Sequence, residues 1–151
     1  ILKRGWAMTE PHRFAVRIHW EDTDAAGIVY YANYLRFIER ARSDLVGEMG
    51  IDQAALLADQ GVVFPVRRCE IDYIQPARLD DRLEVRTMVR KLAGASMNMD
   101  QDIYRGDEKL IQAKVRLACI DGTGRPRRLP DGVRAALART VTHTVLPDAG
   151  K

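Results

Sequence analysis

The sequence predicts an α+β domain in which one long helix packs against one antiparallel sheet. An apolar stripe of helical period runs through residues 34–49. Alternating polar and apolar residues indicate one strand before this helix and four strands after it. The late strands are separated by turns that are too short for parallel pairing. Because the chain has 151 residues and is 46% hydrophobic, it can bury one sizeable core. We therefore expect a single domain over residues 12–140, with 1–11 and 141–151 as terminal tails.

The first strand and the long helix are predicted from two different periods. In FAVRIHW, a period of two places these residues on one face of a strand: Phe14, Val16, Ile18 and Trp20. In YLRFIERARSDLVGEM, a helical stripe is formed by Tyr34, Phe37, Ile38, Ala41 and Leu45. Asp52 is then expected to cap a second helical piece that stops at Gly61.

The second half of the chain alternates in the way that half-buried strands do. The side chains predicted to share a face are Cys69, Ile71 and Tyr73 in one strand, Leu83, Val85, Thr87 and Val89 in the next, and Ile111, Ala113, Val115, Leu117 and Cys119 in the last. Gly94 falls in a predicted hairpin connection. DGVRAALART predicts a short terminal helix with Asp131 as its cap.

Composition narrows the classes of protein to consider. Cys69 and Cys119 form neither a metal-binding spacing nor a disulfide-rich pattern, which favours a reducing compartment, the cytoplasm. No apolar run approaches transmembrane length, so no integral membrane segment is expected. The net charge of +3 and the pI of about 9.0 allow an anionic partner. No basic stripe is interleaved with aromatic residues, so nucleic acid is not the expected partner. The histidines lack metal-ligand spacing, and neither a metal nor another cofactor is expected.

The stretch EDTDAAGIVYYANY, residues 21–34, carries the strongest functional signal. Its three carboxylates precede a turn of small residues and the start of the long helix. A carboxylate can act as a general base or as a nucleophile. The free N–H groups at a helix start can stabilise an oxygen that gains negative charge. The spacing therefore places two parts of a catalytic site next to each other.

The segment EDTDAAGIVYYANYLRFIERAR resembles the signature of the hydroxybenzoyl-CoA thioesterase family, especially its Tol–Pal-associated acyl-CoA thioesterase branch. IDYIQPARLDDRLEV and TGRPRRLP resemble later segments of that branch, and the resemblance covers about residues 12–130. It implies a hot-dog fold, in which a sheet of about five strands wraps the helix. It also implies homodimers, often paired into tetramers, with active sites between subunits, and hydrolysis of acyl-CoA to a free acid and CoA.

The resemblance assigns roles to particular residues. Asp24 matches the catalytic aspartate, either base or nucleophile, and the backbone N–H of Tyr31 matches the donor to the thioester carbonyl. Gly27 allows a backbone conformation or a close approach, and Asn33 caps the helix or touches substrate. The Tol–Pal branch often has histidine where this chain has Tyr31, whereas the hydroxybenzoyl branch has tyrosine. Two cations at the end of a strand are candidate ligands for the phosphates of CoA: Arg90 and Lys91.

Other interpretations remain open at this level. Asp24 could merely cap its turn, and the domain could bind acyl-CoA without hydrolysing it. The thioester could be carried by acyl carrier protein instead of CoA. A hot-dog dehydratase would use a histidine-containing site that the sequence lacks. The sequence does not choose between short aliphatic, long aliphatic and aromatic acyl groups.

Overall fold

A computed structural model describes residues 10–140 and confirms the predicted α+β class. The elements are β1 (His12–Arg17), α1 (Asn33–Glu48), α2 (Gln53–Gln60), β2 (Val66–Tyr73), β3 (Arg82–Leu92), β4 (Ser96–Arg105), β5 (Glu108–Ala118) and α3 (Asp131–Ala138). The strands form one five-stranded sheet in the order β1-β3-β4-β5-β2, and every pairing is antiparallel. The predicted tails lie almost entirely outside the described residues.

Helix α1 buries its predicted stripe against the sheet. All five stripe residues are at most 2% exposed: Tyr34, Phe37, Ile38, Ala41 and Leu45. Their spacing of three and four residues keeps them on one face of the helix, which packs on β1 and β3. No helix among residues 10–140 combines the length and apolar character needed to cross a bilayer.

The first strand ends earlier than the sequence predicts. Ile18 is fully buried, but β1 stops at Arg17, and the chain enters a short 3-10 helix (Trp20–Asp22). The carboxylate of Asp22 accepts a hydrogen bond of 2.8 Å from the backbone N–H of His19, which closes this turn. Trp20 is therefore 79% exposed, and its predicted position on the inward face of the strand is wrong.

β3 and β5 bury the faces that their alternation predicts, whereas the shared face of β2 is largely exposed. The predicted inward residues of β3 and β5 are all buried. In β2, Cys69 and Tyr73 are exposed and Ile71 is only partly buried. The reason is the position of β2 at the sheet edge, beyond the area that α1 covers, since α1 packs on β1 and β3. One side of β2 therefore lacks a strand partner within the described chain.

The two short helices differ in how they begin. Asp52 caps α2 as predicted, because its Oδ1 accepts from the N–H of Ala55 at 3.0 Å, and Gly61 ends the helix with a φ of +66°. The predicted cap at Asp131 is wrong. Asp131 is the first residue of α3, the cap position is held by Pro130, and no side chain caps this end.

Glu84 on β3 makes the stability of the folded protein depend on pH. Its Oε1 accepts hydrogen bonds from Arg13 at 2.6 Å and Arg86 at 2.8 Å. Partial burial raises the pKa of Glu84, but the two guanidinium groups outweigh it and hold that pKa below its ordinary value. A lowered folded-state pKa stabilises the protein above the unfolded-state pKa, and this stabilisation disappears as the pH falls through the folded-state pKa.

We expect Glu84→Gln to lower the free energy of unfolding at pH 7 by at most about 1 kcal/mol, because the ion pairs are partly exposed. The difference from the native protein should shrink as the pH falls from the unfolded-state pKa toward the lowered folded-state pKa, and it should vanish once the carboxyl group is protonated in both states. Urea unfolding at a series of pH values measures this difference. A difference that stays constant down to pH 3 would contradict the assignment.

Candidate active site

The acidic stretch folds into a tight reverse turn in front of α1. Thr23 and Val29 pair as an isolated antiparallel bridge, and the N–H of Asp24 donates to the carbonyl of Ile28 at 2.9 Å. The N–H of Gly27 returns to the carbonyl of Asp24 at 3.0 Å. Gly27 has a φ of +78°, and a Cβ placed there would meet nothing within 4 Å in this chain. Of the two expectations for Gly27, backbone conformation is therefore the one that this chain's geometry supports.

The carboxylate of Asp24 has one fixed oxygen and one open oxygen. Its Oδ1 accepts a hydrogen bond of 2.8 Å from the backbone N–H of Ala26. Within residues 10–140, Oδ2 has no hydrogen-bond partner, and the residue is exposed. The turn therefore orients the side chain while leaving an oxygen that can contact water or a substrate.

The backbone carbonyl of Asp22 ties the acidic turn to the start of the helix. It accepts from the N–H of Tyr30 and from the side-chain amide of Asn33, both at 2.9 Å. The expectation that Asn33 caps the helix is therefore wrong, since Ala32 occupies the cap position and Asn33 is the first helical residue. The N–H of Tyr31 has no acceptor among the described residues, so it is available to an external oxygen.

Tyr73 at the end of β2 is a neighbour of this site that the sequence analysis did not assign. Its hydroxyl donates to the carbonyl of Tyr31 at 3.3 Å, and its ring lies 5.9 Å from the ring of Tyr31. Partial burial, followed by Cys69 and the two neighbouring tyrosines, raises the pKa of Tyr73. The hydroxyl therefore remains a donor at neutral pH. The only signal in the sequence was the alternation that places Tyr73 on one face with Cys69 and Ile71. Contact with Tyr31 could not be inferred from it, because the two tyrosines are 42 residues apart.

Tyr34 anchors the loop against which the acidic turn rests. Its buried hydroxyl accepts a hydrogen bond of 3.0 Å from the N–H of Ala77, and the carbonyl of Ala77 accepts from Val29 at 2.9 Å. Burial is the main cause that raises the pKa of Tyr34. The Tyr34 hydroxyl thus holds Ala77 in place, and Ala77 in turn holds Val29, where the acidic turn ends.

Tyr34→Phe is expected to lower the free energy of unfolding by about 1–3 kcal/mol, because the N–H of Ala77 would be buried without an acceptor. Thermal or urea unfolding measures the loss. Tyr30→Phe is a matched control, since the Tyr30 ring is 45% exposed and should be replaceable with little effect. Equal stability of Tyr34→Phe and the native protein would contradict this role for the hydroxyl.

Arg90 and Lys91 lie far from the acidic turn of the same chain. The turn is held by Ala77, just before β3 begins, whereas these two cations are eight and nine residues into the strand. Eight strand residues span about 27 Å. Arg90 also pairs with Asp100 at 2.7 Å, while Lys91 is exposed. The structure therefore does not bring these cations together with Asp24 within one chain.

The fold creates one potential metal cluster that residue spacing did not indicate. His12 on β1 lies with its Nε2 2.9 Å from Asp44 and 3.5 Å from Glu48 on α1. Within residues 10–140, this is the one group of three possible ligands whose donor atoms all lie within 4.8 Å of one another. Hydrogen bonding between the imidazole and Asp44 links β1 to α1. None of the three residues belongs to the acidic turn.

Comparison with known proteins identifies relatives of this chain. Residues 18–137 match the Thioesterase-like superfamily. The acyl-CoA thioesterase YbgC of Haemophilus influenzae is 42% identical over 124 residues, which cover 82% of this chain and 91% of that protein. The acyl-CoA thioester hydrolase YbgC of Escherichia coli is 40% identical, with coverage of 82% and 92%. The crystal structure of a probable thioesterase from Bartonella henselae matches with a TM-score of 0.76, 40% identity, and coverage of 80% and 99%.

These matches confirm the resemblance and the hot-dog fold that it implied. The matched region, residues 18–137, begins just after β1 and ends within α3. It therefore includes the acidic turn, the long helix and the whole sheet except β1. The chain belongs to the Thioesterase-like superfamily.

Proposed function

We propose that the protein hydrolyses acyl-CoA thioesters to a free acid and CoA, with Asp24 and the backbone N–H of Tyr31 as its catalytic groups. The observation that carries this proposal is that Asp24 and the Tyr31 N–H lie on either side of the hydrogen bonds accepted by the carbonyl of Asp22. The carbonyl of Asp22 fixes the helix start, where the N–H of Tyr31 is open, and the adjacent turn holds Asp24 with one oxygen open. The activity named for the relatives supports the same reaction.

Two routes for the attack fit this geometry. In the first, Asp24 removes a proton from water, and the hydroxide attacks the thioester carbonyl. In the second, Asp24 attacks directly, and water then hydrolyses the mixed anhydride. In both routes the carbonyl oxygen gains negative charge and accepts a hydrogen bond from the Tyr31 N–H. The C–S bond breaks as the carbonyl re-forms, and CoA leaves as a thiolate that takes up a proton.

A homodimer, alone or paired into a tetramer, is part of the proposal. The edge strand β2 has a free side and exposes Val66, Tyr73 and the following Ile74 at 45–46%. Such an edge favours pairing with a second copy of the chain. Because Arg90 and Lys91 are remote from Asp24 in one chain, we propose that they contact the CoA phosphates of a site in a neighbouring subunit. Light scattering that gives only monomers would contradict both points.

We also propose that the enzyme works in the cytoplasm without a metal or other cofactor. Both cysteines, Cys69 and Cys119, are free thiols, which suits a reducing compartment. A thioester on acyl carrier protein is the alternative substrate. It would present the same acyl group and the same reacting carbonyl to Asp24.

The test is release of free thiol from a panel of short aliphatic, long aliphatic and aromatic acyl-CoAs. Turnover of at least one acyl-CoA, unchanged after treatment with a metal chelator, is the expected result. Tight acyl-CoA binding without thiol release would instead select a binding module. Release from acyl carrier protein thioesters alone would move the substrate from CoA to the carrier protein.

A further inference from the structure

Three side chains that can bind metal join the first strand to the second half of the long helix, and we call them the His12 cluster. His12 lies at the floor of the cluster with its side chain 2% exposed, whereas Asp44 and Glu48 lie at the rim with 40% and 33% exposed. The two carboxylates are four residues apart on α1, so both project from one face of the helix toward β1. Asp44 is about 16 Å along the helix axis from Asn33, where the candidate active site lies.

The donor atoms of the His12 cluster have nearly the spacing of ligands around one ion. The Nε2 of His12 lies 2.9 Å from Oδ2 of Asp44 and 3.5 Å from Oε2 of Glu48. Zinc binds histidine nitrogen and carboxylate oxygen at about 2.0–2.2 Å, which places two ligands of a tetrahedral site about 3.4 Å apart. An ion can therefore enter after small rotations of the carboxylates, and the exposed rim leaves its fourth position open to water.

The two carboxylates of the His12 cluster form no ion pair with a lysine or arginine among residues 10–140. The other ion pairs within this part of the chain each join a carboxylate to a lysine or an arginine. Asp44 and Glu48 also lie in the C-terminal part of α1, whose last turn contains no basic residue. The negative end of the helix dipole disfavours a carboxylate there unless a cation offsets it. The surroundings of the cluster therefore favour a cation.

The mixed donor set of the His12 cluster selects the class of cation. Imidazole nitrogen is a good ligand for zinc and neighbouring transition metals, whereas magnesium and calcium take oxygen ligands. Three protein ligands and one open position suit zinc, which is usually four-coordinate in proteins. A protonated His12 would bring one positive charge to two carboxylates. A divalent ion bound by the neutral imidazole balances both negative charges.

We propose that His12, Asp44 and Glu48 bind a divalent transition-metal ion, zinc or one of similar chemistry, that joins β1 to α1 and stabilises the fold. The strand β1 lies at an edge of the sheet and pairs with β3, and the ion would fasten its first residue to the long helix. The site is separate from the proposed hydrolysis, because none of its ligands belongs to the acidic turn or the helix start. An ion that binds only the folded chain raises its thermal midpoint.

The experiment adds ZnCl2 to the metal-stripped native protein and measures binding by calorimetry and the thermal midpoint by circular dichroism. One zinc per chain should bind, and zinc at about a hundred times its Kd should raise the midpoint by at least about 4 °C. The same concentration of MgCl2 should leave the midpoint unchanged. Asp44→Asn and Glu48→Gln change partly exposed side chains, and each should weaken zinc binding at least about tenfold.

Two control variants distinguish this cluster from other zinc-binding groups. Asp59→Asn removes an exposed carboxylate of α2 that lies outside the cluster. Cys69→Ser removes an exposed thiol, which is itself a zinc ligand when deprotonated. Both variants should bind zinc with the native affinity. Loss of zinc binding in Cys69→Ser alone would place the ion at the thiol and overturn the proposal.

Absence of zinc binding by the native protein would also overturn the proposal, as would an equal effect of magnesium. Native zinc affinity in either folded carboxylate variant would remove that side chain from the site and leave too few ligands. Thiol release from acyl-CoA, measured well below the thermal midpoint, should be the same with zinc bound or removed. Failure to hydrolyse any acyl-CoA in either state would therefore contradict the proposed function and leave the metal site intact.

Discussion

Asp24→Asn is expected to lower kcat for acyl-CoA hydrolysis by about 10²–10⁴-fold, the usual contribution of a positioned acid–base group. Asparagine has nearly the same shape, and its side-chain oxygen can still accept the hydrogen bond from Ala26 that orders the turn. It lacks the negative charge needed to take a proton from water or to attack a carbonyl. KM should change little, because the variant retains the contacts that hold the rest of the substrate.

Glu21→Gln is the matched control for this experiment. Glu21 is an exposed carboxylate three residues earlier, outside the bridged turn, and its replacement should leave kcat near the native value. Circular dichroism and a thermal midpoint check that both variants are folded. A folded Asp24→Asn protein with native kcat would remove Asp24 from the mechanism, and an equal loss in both variants would point to general electrostatics.

Tyr31→Pro is expected to lower kcat/KM by about 10²–10³-fold, because proline deletes the N–H that is proposed to stabilise the oxyanion. The position suits the substitution. Tyr31 is the second residue of a turn that the N–H of Asn33 closes on the carbonyl of Tyr30 at 2.8 Å, a position that proline favours. Its own N–H makes no hydrogen bond within the described chain that the change would break. Steady-state thiol release with an active acyl-CoA measures the effect.

Tyr31→Ala separates the backbone donor from the side chain. It removes the ring that contacts Tyr73 but keeps the N–H, so it should retain most of kcat. Equal losses in the alanine and proline variants would assign the role to the ring or its hydroxyl. If proline lowers the thermal midpoint sharply, the comparison of kcat/KM at a temperature well below that midpoint keeps the test valid.

The parts of the fold that local periodicity determines were predictable. The stripe of α1 and the alternation of β3 and β5 depend on residues close in sequence, and the structure buries both as predicted. Trp20 continues the alternation of β1 in the sequence. In the structure, the side chain of Asp22 accepts a hydrogen bond from the backbone N–H of His19, and the chain turns before Trp20 can join the strand. The exposure of β2 depends on its place at the edge, which follows from the order of all five strands.

In the candidate site, too, the relations between residues close in sequence were predictable, and those between distant residues were not. Asp24, Gly27 and the helix start lie within ten residues, so their proximity was evident from the sequence. The contact of Tyr73 with Tyr31 spans 42 residues and requires β2 to end beside the helix start. The remoteness of Arg90 and Lys91 follows from the length of β3, whose other end lies beside the acidic turn. Strand spacing alone could not indicate either relation.

The most direct test of the central claim compares acyl-CoA binding and thiol release in the native protein and Asp24→Asn, using the same acyl-CoA. Calorimetry gives the Kd for the variant, and a thiol reagent gives the rate of CoA release for both. We predict that Asp24→Asn binds the acyl-CoA about as tightly as the native KM indicates and releases thiol at least about 100-fold more slowly. Native-rate release by the folded variant would contradict catalysis at the acidic turn, as would the absence of release from the native protein.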